Sequence, residues 1–119
     1  MKRCLIFLIF FTTIFFSCDD IIEVEDISSD VVLILAPTSG SIVDLDPVSF
    51  TWEPIEDAEN YHLQIAIPNF EEASQVVLDT VISKTNFEKS LEASQYEWRV
   101  KAQNSGYSTE FNSTKFVVE

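Results

Sequence analysis

The stretch Tyr96-Glu97-Trp98-Arg99-Val100-Lys101-Ala102-Gln103 sets the architecture of this chain. Tyr96, Trp98, Val100 and Ala102 fall on one side of an extended backbone, and Glu97, Arg99, Lys101 and Gln103 fall on the other. A period of two is that of a strand with one face in a core and one in water; a helix would repeat every 3.6 residues. The pattern recurs on both sides of this segment. Val48, Phe50 and Trp52 alternate with Ser49 and Thr51 until Pro54 stops the run, and Tyr61, Leu63, Ile65 and Ile67 alternate with His62, Gln64 and Ala66 before Pro68. Val31 to Leu35, Val76 to Ile82, Thr85 to Glu88 and Phe116 to Val118 are the remaining expected strands. Seven short antiparallel strands in about ninety residues, with no segment of helical spacing, predict an all-β, two-sheet sandwich over residues 31–119.

Residues 1–17, MKRCLIFLIFFTTIFFS, do not share that pattern. Lys2 and Arg3 precede an apolar run from Leu5 to Phe16, interrupted only by Thr12 and Thr13. The run is shorter than the ~20 residues a helix needs to cross a bilayer and lacks the polar face of a soluble helix, so it reads as the core of a cleaved signal peptide. Cys4 would leave with that leader, making Cys18 the only thiol of the exported chain and excluding an internal disulfide. Twenty acidic against seven basic residues give a net charge of −13. Nucleic acid is thereby excluded as a partner, because phosphate binding draws on clustered Lys and Arg.

Phe15-Phe16-Ser17-Cys18 resembles the bacterial lipoprotein signal, in which a small residue precedes a cysteine that is acylated and becomes the new N-terminus. The resemblance implies lipidation at Cys18 and a membrane partner through that anchor. Acyl chains add ~0.8 kcal/mol per buried methylene, so two or three chains hold a protein stably. Residues 18–30 follow, with Asp19, Asp20, Glu23, Glu25, Asp26 and Asp30 and no basic residue. They are expected to form an acidic tether, spanning ~20 Å as a coil and ~40 Å when extended. The segment also resembles the acid-rich stretch that Bacteroidetes lipoproteins carry after the cysteine as a surface-export signal. The implied location is the cell envelope, as an outer-membrane lipoprotein exposed at the surface, although Asp19 directly after the cysteine resembles the enterobacterial signal for inner-membrane retention, so the two locations stay open.

A second resemblance rests on Trp52, Tyr61 and the string Leu91…Tyr96-x-Trp98-x-Val100-x-Ala102-x-Asn104-x-Gly106, which look like the core of a fibronectin type III domain. It covers nearly all of Val31 to Val118 and implies a fibronectin type III or immunoglobulin-like sandwich. Leu91 with Tyr96 resembles that family's tyrosine corner, whose phenol hydroxyl bonds a nearby backbone group. Ala93-Ser94-Gln95 stands where a Pro-Gly would precede the tyrosine. Trp52-Glu53-Pro54, Ala58 and Tyr61-His62-Leu63-Gln64-Ile65 are similar to modules of Bacteroidetes lipoproteins, here in one copy without internal repeat.

Alternation turns Phe50, Trp52 and Trp98 inward, as core residues. The loop aromatics Phe70, Tyr107 and Phe111 are better candidates for ligand contact, with satellite packing as the competing role. His62, the single histidine, points outward, where neighbouring strands are expected to place Glu97, Arg99 and Lys101 beside it. That cluster is either a polar patch for an anionic ligand or ordinary cross-strand pairing. Thr80, in Asp79-Thr80-Val81, resembles the Asp-Thr-aliphatic O-glycosylation site of Bacteroidetes. Asp44-Leu45-Asp46 and Glu56-Asp57-Ala58-Glu59 are loop acids that could converge on calcium at one end of a sandwich, with solvated loops as the default. No metal site and no cofactor is expected.

Catalysis has no sequence support: there is no Ser-His-Asp signature, no Gly-rich phosphate loop among two glycines, and no Cys-His pair after processing. The expectation is a non-catalytic, lipid-anchored envelope protein acting as a binding or adhesion module at the cell surface, with an unidentified protein or glycan partner. The alternative is a structural accessory subunit of an envelope protein complex.

Overall fold

The computed structural model describes residues 23–119, so the leader of residues 1–17 and Cys18 lie outside the described residues. Eight strands follow in order: β1 (Ile34–Ala36), β2 (Ser41–Val43), β3 (Val48–Trp52), β4 (Asn60–Ile67), β5 (Gln75–Ile82), β6 (Asn86–Lys89), β7 (Ser94–Gln103) and β8 (Asn112–Val118). They form a three-stranded sheet, β1-β3-β6, and a five-stranded sheet, β2-β8-β7-β4-β5. Every pairing is antiparallel except β2 with β8, which is parallel.

The inward residues of β3, β4, β7 and β8 meet between the sheets. Phe50 is wholly buried at their centre, its ring edge-on to Trp98 at 5.0 Å and to Phe116 at 5.8 Å. Trp52 continues the cluster, 6.0 Å from Trp98 and 5.7 Å from Tyr61. Offset and edge-to-face contacts of this kind suit the ring quadrupoles and add to the stabilisation from area burial alone. The Trp98 indole also donates to the Pro37 carbonyl at 3.3 Å, which gives its polar atom a partner inside the core.

The expected tyrosine corner is present. Tyr96 donates from its hydroxyl to the Glu92 carbonyl at 2.6 Å, stacks on Phe116 with an interplanar angle of 17°, and Leu91 packs against the same core. The Ala93-Ser94-Gln95 approach therefore supports the corner without the family's Pro-Gly.

Two features differ from expectation at the N-terminal side. The expected strand Val31 to Leu35 is ladder-paired only from Ile34, although Val32 is wholly buried. The chain then crosses between sheets, turns at Gly40 with a left-handed φ of 75°, and forms β2, an eighth strand lying beside β8. Gly40 donates to the Lys115 carbonyl at 2.8 Å, which fixes the crossing. A residue with a Cβ would be strained at that φ. The expected tether of residues 18–30 also ends sooner than the sequence implied. Ile27 is 2% exposed and belongs to the core cluster, because an apolar side chain next to the sandwich gains more from burial than from remaining in a solvated linker.

Candidate functional site

The outer face of the five-stranded sheet carries the residues singled out in the sequence. Register sets them in rows. His62 on β4 lies opposite Lys101 on β7 and Val81 on β5, and Gln64 lies opposite Arg99 and Asp79. Arg99 faces Ser113 of β8 on its other side, and Glu97 lies between Ala66 and Lys115. His62, Arg99 and Lys101 are thus grouped as expected, but Glu97, also expected beside His62, lies opposite Ala66, four residues further along β4. Phe111, at the entrance to β8, closes over it: its ring centroid is 4.4 Å from the Arg99 guanidinium carbon, 4.9 Å from Lys101 Nζ and 5.4 Å from the His62 ring.

Two further side chains complete the arrangement. Phe70, in the loop between β4 and β5, lies 4.0 Å from the guanidinium carbon of Arg99. That loop is tied down by Glu97, whose carboxylate accepts from the Phe70 amide at 2.9 Å. Arg99 Nε donates to Gln64 Oε1 at 2.7 Å. The guanidinium is therefore flanked by two aromatic rings and aimed by one amide, a set of contacts in which cation–π attraction and a hydrogen bond add.

At the β5 side, His62 Nε2 donates to Asp79 Oδ1 at 2.5 Å, a contact that becomes an ion pair when the ring is protonated. The hydrogen bond from His62 holds the Asp79 carboxyl below the usual carboxylate range, outweighing desolvation, with Gln64 and the charges of His62 and Arg99 adding in the same direction. Asp79, Gln64 and Arg99 consequently form a line across three strands. The two acids of this face are already engaged, Asp79 with His62 and Glu97 with the Phe70 amide.

Phe111 is positioned by a hub in the loop that precedes β8. Thr109, itself buried, accepts at Oγ1 from the Ala102 amide at 3.0 Å and donates to the Glu110 carbonyl at 2.9 Å. Asn104 caps the same loop, accepting from the amides of Gly106 and Tyr107 and donating to the carbonyls of Glu25 and Asp57. Its amide thereby also fastens the acidic segment before Ile27.

The remaining candidates lie elsewhere. Tyr107, 41% exposed, sits on the Asn104 loop and makes no aromatic or cation contact with the Arg99 cluster among the described residues. Thr80 is half-buried on β5 and registers with the wholly buried Leu63, whereas its neighbours Asp79 and Val81 are exposed. Asp44-Leu45-Asp46 precedes β3 and Glu56 to Glu59 follows it, so the two acidic loops occupy opposite ends of that strand and do not converge. Sequence reasoning missed the role of Gln64, Asp79 and Phe70 beside Arg99. Strand alternation on β4 and β5 carried the signal for the first two.

No protein-family model and no curated protein matches the chain. Solved structures do. The chain is similar to the fibronectin(III)-like modules of Clostridium thermocellum CbhA, at 15% identity and a TM-score of 0.54, covering 75% of this chain and 96% of that one. It is similar to FN3tt, at 12% identity and a TM-score of 0.54, with the same coverages of 75% and 96%. It is also similar to the fn3 domain of the human collagen alpha-1(XX) chain, at 17% identity and a TM-score of 0.53, covering 76% and 88%. The described residues thus form a fibronectin type III-like β-sandwich.

Proposed function

We propose that the chain is a non-catalytic, lipid-anchored protein of the cell envelope whose sandwich acts as a binding or adhesion module at the cell surface, with the Arg99 face as its contact surface. The observation that carries this reading is the ordered cationic cluster of half-buried Arg99 and Lys101 under Phe111 on the outer face of the five-stranded sheet of an otherwise acidic protein. The leader and Ser17-Cys18 support anchoring at Cys18, and the acidic residues after it support display away from the membrane. Sandwiches of this fold serve many unrelated roles, so the site and not the fold bears the proposal.

A glycan array probed with the purified chain, its Arg99→Ala variant and its Phe111→Ala variant tests it. Signal lost in both variants supports the reading; a flat array, or signal unchanged in both, counts against it. The envelope-subunit reading has one observation in its favour: β5 is an edge strand with Val76 and Val81 each about half exposed. Stoichiometric co-purification of a second protein from solubilised membranes, lost on Val81→Lys, would favour that reading instead.

A further inference from the structure

We infer that the Arg99 face recognises a single carboxylate carried on an otherwise uncharged glycan, as in an oligosaccharide ending in a uronic acid. This rests on the binding-module reading above and specifies its ligand.

The starting point is an arginine with acids nearby but none in ion-pair contact with it. The chain has twenty Asp and Glu, yet among the described residues none forms an ion pair with Arg99. Its Nε is engaged with Gln64 and its guanidinium is flanked by Phe70 and Phe111. The terminal amino groups make no hydrogen bond among the described residues. A guanidinium held in this way presents parallel donors that match the two oxygens of a carboxylate, and the rotamer freedom it would lose on binding is already largely lost. Lys101, beside Phe111, adds a second positive charge within the same patch.

The placement within the sheet favours a sugar over a peptide. Arg99 lies on β7, whose backbone is paired on both sides, with β4 and with β8. An extended peptide gains its main-chain hydrogen bonds at a sheet edge, and none is offered here. The face offers side chains only, amides and hydroxyls such as Gln64 and Ser113, which suit sugar hydroxyls. Net charge limits the number of acids. A protein at −13 whose same face already carries Asp79 and Glu97 repels a densely charged polymer, whereas a single carboxylate can be met by Arg99 and Lys101.

The test is calorimetric titration of the full chain, purified in detergent, with a disaccharide ending in glucuronic acid. Its methyl ester, its glucose-terminated counterpart and tetraglutamate serve as controls. The acid disaccharide should bind tenfold or more tightly than its ester, and Arg99→Gln should lose on the order of tenfold to a hundredfold in affinity. Arg99→Lys should restore only part of that loss, and Tyr107→Ala should leave binding unchanged. Equal binding of acid and ester, tetraglutamate binding as tight as the sugar, or no binding of the acid disaccharide would each overturn the inference. Should Arg99→Gln fail to fold, the ester comparison on the parent chain and the Lys101→Gln variant still decide. Array signal confined to neutral glycans would leave the binding-module reading standing while refuting this one.

Discussion

Replacing Tyr96 by Phe isolates the corner that joins the two sheets. Tyr96 is 2% exposed, its ring stacks on Phe116 at 5.5 Å, and its hydroxyl donates to the Glu92 carbonyl at 2.6 Å. Phenylalanine keeps the ring and the stack but removes the donor, leaving the Glu92 carbonyl without that partner. A net hydrogen bond contributes ~1 kcal/mol, rising to ~2 kcal/mol where the abandoned acceptor stays shielded from water. In a domain of this size each kcal/mol moves the midpoint by ~4–8 °C, so Tyr96→Phe should lower Tm by roughly 4–16 °C. Tyr96→Leu, which also removes the aromatic stack, should cost clearly more. Thermal melts followed by circular dichroism, in one buffer for all three proteins, provide the comparison.

The same tyrosine supplies a pH arm. Burial first, and the Glu92 charge second, push the Tyr96 hydroxyl above its ordinary value. The folded chain therefore keeps a proton that the unfolded chain releases near pH ~10. Its contribution is complete below that unfolded value and declines as pH rises toward the folded one. Tm of the parent should fall more steeply in the alkaline range than Tm of Tyr96→Phe. A Phe variant with unchanged Tm, or one as unstable as the Leu variant, would refute the corner's assigned role.

Two other outcomes follow from particular contacts. Ile27→Ala should destabilise the domain by ~2–5 kcal/mol in denaturant titrations, as befits a core residue, and an effect below ~0.5 kcal/mol would return residue 27 to the tether. His62→Ala should raise the Asp79 carboxyl back toward the ordinary carboxylate range, read from carboxyl carbon shifts against pH; because that carboxyl is held low in the folded chain, whatever stability it lends is present above the ordinary value and is lost as pH falls through the lowered one. An unchanged Asp79 titration would show that His62 is not its partner in solution.

The sandwich was legible because β7 alternates over its whole length and because Phe50, Trp52 and Trp98 sit at inward positions. β2 was not legible: three residues beside Gly40 carry too little periodicity, and their pairing with β8 depends on a distant strand. Ile27 was hidden by its acidic neighbours, since local composition reports solvation while burial depends on what the fold places alongside. His62, Arg99 and Lys101 could be grouped from alternation and an expected neighbour order. The flanking of Arg99 by Phe70 and Phe111 could not, because both rings come from loops without a period, held by Glu97 and by the Thr109 and Asn104 hydrogen bonds. Tyr107 shares a loop with Phe111 yet lies outside the cluster, which shows how little sequence proximity alone says about a site.

Anchoring and display are tested together by protease shaving of intact cells, followed by mass spectrometry of the released and the membrane-retained peptides. A surface-displayed binding module predicts that peptides of residues 31–119 are released while an acylated N-terminal peptide beginning at Cys18 stays with the membrane. Recovery of Cys18 without acyl chains, or full protection of the sandwich from protease, would contradict it.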